Sequence, residues 1–163
     1  MDAGDHRHSE AGVSALRVVI VSTDRERADA FAVRIAVFVD EQPIPREDEL
    51  DEHDSSAIHC VGYLKDAPIA AGRLVVNDGY GKIGRMAVLK EHRGAGYGAM
   101  VLEALEHAGA AHGVTEFRLS AQLSARGFYD RLGYVGDGDI YDEVGIPHIA
   151  MVKCAERSND PQA

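Results

Sequence analysis

Ile83-Gly84-Arg85-Met86-Ala87-Val88-Leu89-Lys90-Glu91-His92-Arg93-Gly94-Ala95-Gly96-Tyr97-Gly98, running on through Ala99 to Gly113, decides the reading of this chain. An apolar, strand-like run ends at Leu89, a loop carries Arg93, Gly94, Gly96 and Gly98, and an amphipathic helix starts at about Gly98. Glycine lets backbone N–H groups turn toward a ligand and approach it closely. The helix start adds unpaired N–H groups and the positive end of a dipole. Together they predict an anion site suited to a pyrophosphate.

Three phosphate-loop patterns compete for this stretch. The Walker pattern ends in Gly-Lys-Ser/Thr, which does not follow here. The dinucleotide fingerprint is matched literally by Gly94, Gly96 and Ala99, but it needs an acid about 20 residues on for the ribose. The next strand, Thr115 to Ala121, has Glu116 near its start and ends in Leu119-Ser120-Ala121, with no acid at its C-terminal end. The third pattern fits best. Arg93-Gly94-Ala95-Gly96-Tyr97-Gly98 resembles the Arg/Gln-x-x-Gly-x-Gly/Ala loop of the acetyl-CoA-dependent N-acetyltransferase (GNAT) superfamily, as does the strand Arg85-Met86-Ala87-Val88-Leu89 before it. Phe128-Tyr129-Asp130-Arg131-Leu132-Gly133-Tyr134 resembles the short helix, Tyr and Gly-aromatic exit found further along in that family. The likeness covers roughly residues 16–153. Val37 to Gln42 and Gly145 to His148 resemble a bacterial subgroup of small, poorly characterised members.

The resemblance implies a mixed α/β fold with a mostly antiparallel central sheet flanked by helices. It implies acetyl-CoA as co-substrate and transfer of its acetyl group to a primary amine by direct attack in a ternary complex. The backbone of Arg93, Gly94, Ala95, Gly96, Tyr97 and Gly98 would hold the pyrophosphate, and that of Met86, Ala87 and Val88 would follow the pantetheine amides. The side chain of Arg93 is open between a structural role and a phosphate contact. Tyr129 is the expected acid: a phenol with a reference pKa near 10 is protonated at pH 7 and can donate to the leaving thiolate. Gln122 stands where many relatives have an Asn that hydrogen-bonds the cofactor. The base is left open among Glu41, His148, His59 and water. A non-catalytic acyl-CoA-binding module on the same fold is the alternative.

Composition narrows the classes further. The 163 residues suit one domain, expected over 15–154, with polar tails at 1–14 and 155–163. A formal charge of −10 argues against nucleic acid as a partner and suits a cationic or neutral acceptor. Cys60 and Cys154 make no zinc or redox spacing, and Cys60 lies in an apolar run that suits a buried thiol. His6 and His8 are too few ligands for a metal site, and none is expected. No apolar stretch approaches 18 residues and the N-terminus has no apolar h-region, so neither a membrane span nor a secretory signal is expected and the cytoplasm is the default. Self-association as a homodimer is left open.

Outward from the loop, the patterning predicts β-α-β-β-β-α-β-α-β-β. Arg17 to Ser22 reads as a buried strand, and Thr23 with Glu26 as a capping box. Phe31, Ile35, Phe38 and Val39 give helical spacing from about Asp24 to Val39. Residues 40–54 concentrate acids, and Pro43 and Pro45 block a continuous helix. This segment reads either as a solvated loop or as a wall of the acceptor site that attracts an amine. Strands are expected at Ile58–Lys65, Ile69–Val76 and Lys82–Leu89, joined by Asp66-Ala67-Pro68 and by Asn77 to Gly81. Thr115–Ala121 is a further strand, Ser124–Leu132 a short helix closed by Gly133, and two last strands lie near Tyr134–Tyr141 and His148–Lys153.

Overall fold

A mostly apolar run, Leu16–Ile20, makes the first strand, β1, and the chain then turns into a helix where Thr23 and Glu26 cap each other's backbone N–H groups. These coordinates are a computed structural model, and they describe residues 16–155. The expectations for 1–14, including His6 and His8, and for the tail beyond Ala155 lie outside the described residues. Helix α1 runs Asp24–Arg34 and continues as a π-helical turn, Ile35–Glu41. The wider turn closes with Gln42 N–H donating to the Val37 carbonyl, just before Pro43. The helix therefore goes further than Val39, and its last turn is not α-helical. Such π-turns concentrate at functional sites.

The acidic segment folds as a single helical turn, α2 (Arg46–Glu49), and a 3₁₀ turn over Glu52–Ser55. The central strands follow as β2 (Ile58–Leu64), β3 (Ala67–Val76) and β4 (Tyr80–Val88). The β2–β3 turn is Lys65-Asp66 rather than Asp66-Ala67-Pro68, with Lys65 at φ 58°. Pro68 is accommodated inside β3 beside a register shift at Gly62/Tyr63, a place where a missing N–H is tolerated. Helix α3 (Tyr97–Ala111), β5 (Glu116–Gln122) and α4 (Arg126–Arg131) come next. The expected strand near Tyr134–Tyr141 splits into β6 (Val135–Gly136) and β7 (Tyr141–Glu143), interrupted by Gly138 at φ 99°. Strand β8 (Ile146–Cys154) ends the sheet.

The sheet order is β1-β2-β3-β4-β5-β8-β6, with β7 on β8. All neighbours are antiparallel except β4 and β5. The fold is thus the mixed, mostly antiparallel α/β sheet expected, with helices packed on it. Helix α3 packs close: a Cβ on Gly109 would stand 2.7 Å from the Phe117 ring, and one on Gly72 2.9 Å from Leu105. Val101, Leu102 and Leu105 of α3 meet Leu74, Ile83, Phe117 and Met151 in the larger core. A smaller core on the α1 side gathers Ala30, Val33, Val37, Val61 and Tyr63.

The feature that positions the site is where β4 and β5 part. Their parallel pairing ends at Ile83↔Leu119, although β4 continues to Val88 and β5 to Gln122. A bulge sits at that point in β4: its register with β3 shifts between Ala71 and Arg73, and Arg85 takes φ 53°. Bulges increase local twist and re-aim side chains. The two strand ends splay, leaving the Gly84–Val88 edge unpaired by β5.

Candidate active site

Two cavities open on the splayed strands. One, of about 530 Å³, lies against the 93–98 loop and is lined by Met86, Val88, Gly94, Gly96, Gly98 and Phe128, among others. The other, of about 660 Å³, lies between the π-turn, α2 and the ends of β5, β7 and β8. Met86, Ala87, Val88, Arg93, Ala125 and Tyr129 border both. The structure thus brings Met86, Ala87, Val88, Arg93, Gly94, Gly96, Tyr97, Gly98 and Tyr129 to one place, with Gln122 on the larger cavity, while Ala95 lines neither.

The loop has the shape its glycines predict. Gly94 and Gly96 have φ of 88° and 87°, and a Cβ on either would meet nothing within 4 Å. Their need for glycine is therefore set by backbone conformation and by the space in front of them, not by protein packing. Gly96 is the N-cap of α3 and no side chain caps that end. First-turn N–H groups with no capping side chain, behind a cavity, fit an anionic group. Gly98 differs: a Cβ there would come within 3.3 Å of Phe128, so it serves the contact between α3 and α4.

Arg93, left open between two roles, has its side chain engaged within the protein. Its Nε donates to the Val88 carbonyl at 2.8 Å, and its Nη atoms grip Glu41 at 2.8 and 2.7 Å. The guanidinium straps the loop to the end of β4 and to the π-turn, while the Arg93 N–H turns back toward the Lys90 carbonyl at 3.4 Å. Those hydrogen bonds hold the Glu41 carboxyl below its usual range, which makes it a weak proton acceptor. His59, another base candidate, is sealed away from both cavities: its Nε2 meets the Asp54 carbonyl at 2.9 Å and its ring packs on Phe31. His148, in contrast, lines the larger cavity.

Tyr129 is clamped edge-on between Phe128 and Tyr134, with ring centroids 4.9 and 5.8 Å away. Tyr134 is itself tied to α3 by its hydroxyl on Glu106 at 2.7 Å. Burial raises the Tyr129 phenol above its ordinary value, so it stays protonated. Among the described residues its hydroxyl has no hydrogen-bond partner. Gln122, across the splay, exchanges a reciprocal amide pair with Gln42 at 2.9 and 3.3 Å. The pair fastens the end of β5 to the π-turn. Cys60 is fully buried with its thiol pushed up to about 12, and neither cysteine lines a cavity.

The acidic segment is not a solvated loop: Asp48, Glu49, Asp51 and His53 wall the larger cavity, but most of its charge is spent within the protein. Glu49 and Asp54 are buried, and with Asp51 they form an ion network with Arg34, Arg73 and Arg85. Glu49 is accordingly not available as a steering charge. Asp48 remains exposed on the cavity wall, while Glu47 is exposed beside it. Sequence reasoning missed the cations of this network. It also missed Arg131, which lines the loop-side cavity, and the Gln42 pairing. An arginine inside an apolar strand or helix run, such as Arg34 or Arg73, was the available signal, since an isolated buried cation demands a partner. Among the described residues no group of three or more His, Cys, Asp or Glu side chains is placed to hold a metal ion, and no helix is long and apolar enough to cross a membrane.

A splayed parallel pair, a glycine loop at an uncapped helix start and a buried tyrosine between two cavities define an acyltransferase fold of the GNAT type. Residues 24–155 match the family described as acetyltransferase (GNAT) domain, and the chain belongs to that family. It is 43% identical over 140 residues to the uncharacterized N-acetyltransferase YjcF of Bacillus subtilis (strain 168), covering 85% of this chain and 99% of the relative. A crystal structure of a Lactobacillus plantarum protein assigned to the N-acetyltransferases superposes with a TM-score of 0.81 at 33% identity, over 86% of this chain and 99% of that one. An acyl-CoA N-acyltransferase of Pseudomonas aeruginosa gives 0.73 at 29% identity, over 85% and 97%.

Proposed function

We propose that the protein moves the acetyl group of acetyl-CoA to a primary amine of a small-molecule acceptor, by direct attack in a ternary complex. The observation that carries this reading is the meeting of two cavities at Tyr129 and the free edge of β4. One cavity has the anion-binding loop and the other has ionisable groups, so donor and acceptor can approach one thioester from opposite sides. The Pseudomonas aeruginosa neighbour's name, an acyl-CoA N-acyltransferase, supports a CoA thioester as donor. A thioester supplies an electrophilic carbonyl and a thiolate leaving group. Loop N–H groups would hold the diphosphate, the 86–88 backbone would pair with the pantetheine amides, and the Tyr129 hydroxyl would protonate the thiolate. The Val88 carbonyl already accepts from Arg93, which leaves it one lone pair for those amides. The buried Cys60 thiol suits direct attack better than a covalent acyl-enzyme.

Thiol release from acetyl-CoA in the presence of an amine panel tests the reading. Amine-dependent release is expected. Binding of acetyl-CoA without release across a broad panel would instead support the acyl-CoA-binding module. The loop has its own test. Gly96→Val places a β-branched residue at φ 87°, where even an unbranched L-residue is strained, and puts methyl groups into the ligand space. Affinity for CoA should fall roughly tenfold or more, about 1.4 kcal/mol per decade. A folded Gly96→Val protein with parental CoA affinity would remove the loop from the site.

The exposed acids give a further expectation. Glu47→Gln with Asp48→Asn should raise KM for a cationic amine about two- to fivefold, since exposed charges contribute a fraction of a kcal/mol each. The effect should shrink as salt rises, while KM for acetyl-CoA holds. Glu49 is left intact because its loss would break the ion network. Unchanged amine kinetics across a salt series would leave the two acids as surface groups only.

A further inference from the structure

Direct attack requires an amine that has lost its ammonium proton, and the strand ends at the acceptor cavity hold one group arranged to take it. Resting on the acetyl-transfer reading above, we infer that His148 is the general base, accepting the acceptor's proton at Nε2. His148 sits mid-sheet on β8, opposite Gln122 of β5 on one side and Tyr141 of β7 on the other. It lines the cavity that Tyr129 also borders.

The ring's tautomer follows from its one hydrogen bond among the described residues. Nδ1 lies 2.7 Å from the Ile146 carbonyl, an oxygen that can only accept, so Nδ1 carries the hydrogen. In the neutral ring the lone pair is then on Nε2. Among the described residues Nε2 has no partner. The sealed, partnerless side-chain nitrogen or oxygen among them is His59 Nδ1, so His148 Nε2 reaches open space. Stacking on Tyr141, at 6.1 Å and 29°, holds the ring plane. The groups around it are Tyr141 and Glu143 on β7, both bonded to Ser120 of β5, and Gln122, occupied by Gln42. None of these claims Nε2.

The other candidates from the sequence are spent elsewhere, and Asp48, the exposed acid on this cavity's wall, lies on α2 rather than at the strand ends. Glu41 is gripped by Arg93, His59 is outside the cavities, and His53, on the rim, is 55% exposed beside Glu52. The protons balance as follows. An ammonium brings three: one goes to His148 Nε2 and leaves to solvent. The neutral nitrogen attacks the thioester carbon, the C–N bond forms, the C–S bond breaks, and the thiolate takes the Tyr129 proton. The nitrogen's second proton restores the phenol, and the third stays on the product amide.

The experiment compares the full chain with His148→Gln, using acetyl-CoA and the best alkylamine of the panel, from pH 7 to pH 9. A side-chain-type amine with a pKa near 10.4 is neutral in only about one part in 10³ at pH 7. Without a base the variant must wait for that fraction. Its kcat/KM for the amine should be roughly 10²–10³-fold below the parent at pH 7 and recover by up to about tenfold per pH unit, with KM for acetyl-CoA unchanged. A variant profile parallel to the parent's overturns the assignment, since a structural role would lower rate at every pH alike. Nitrogen NMR of the parent gives a reading free of any variant: hydrogen on Nδ1 and none on Nε2 is expected, and the opposite tautomer overturns it. A parent that releases no thiol with any amine overturns the functional reading itself, and this one with it.

Discussion

Tyr129→Phe is expected to lower kcat by roughly 10²–10⁴-fold while KM for acetyl-CoA changes little, the signature of a lost general acid. The substitution is clean on structural grounds. Phe128 and Tyr134 clamp the ring edge-on, and a phenylalanine ring keeps both contacts. The hydroxyl has no partner among the described residues, so its removal orphans no buried group. The melting temperature should therefore shift by no more than about 2–4 °C, the equivalent of 1 kcal/mol for a chain of this size. The pH dependence carries a sign as well. Burial raises the phenol above its reference value near 10, so the acid form persists as pH rises. The parent should show no loss of activity from Tyr129 ionisation below about pH 10. An unchanged kcat in a folded variant, measured where chemistry limits the rate, would take Tyr129 out of the mechanism.

Much of this arrangement was legible in the sequence because it is written in local rules. Gly94 and Gly96 signal positive φ, Thr23 and Glu26 signal a cap, and the apolar run into Leu89 signals a strand. Helix α3, β5 and α4 follow from periodicity, and their ends fall within a residue or two of those expected. What was not legible depends on partners distant in sequence. Arg93 meets Glu41 across 52 positions, and Gln42 meets Gln122 across 80. No periodicity records such pairs, which is why Glu41 reads as a candidate base in the sequence and as one half of a strap in the structure. The splay of β4 from β5 is also invisible locally. It depends on a bulge at Arg85, a residue whose side chain gives no warning of a left-handed backbone. The acidic segment misleads for a related reason. A run of Asp and Glu reads as solvated when its counter-ions, Arg34, Arg73 and Arg85, lie on α1, β3 and β4.

That network yields the largest stability effect expected in the molecule. Arg34 is fully buried, with Nε on Glu49 at 2.6 Å, Nη1 on Asp54 at 2.8 Å and Nη2 on the Glu49 carbonyl at 2.9 Å. Arg73 bridges Asp54 and Asp51, and Arg85 bridges Asp51 and Glu49, so each acid meets two cations. Arg34→Met keeps the length of the side chain and removes its charge. Glu49 and Asp54 then each lose one cation in a dry site, a change that costs about 3–5 kcal/mol. The expected fall in melting temperature is roughly 6–20 °C. Adding Glu49→Gln and Asp54→Asn to Arg34→Met should recover part of it, because the stranded charges go with the cation. Acid should act in the same direction. Burial by itself would raise the Asp54 carboxyl, but hydrogen bonds from Arg34 and Arg73 overcome it and hold it well below the usual range; Arg73 does the same for Asp51. Groups depressed in the folded state contribute stability that is full above the unfolded value near 3.9 and is lost as pH falls through the folded values. Glu49 works against them, since burial pushes its carboxyl up despite Arg34 and Arg85. Below about pH 4 the parent should therefore lose stability more steeply than an Asp54→Asn variant, which has one depressed carboxylate fewer. A melting temperature of Arg34→Met within about 2–4 °C of the parent, 1 kcal/mol at this size, would show that residues 46–55 are held by something other than these charges.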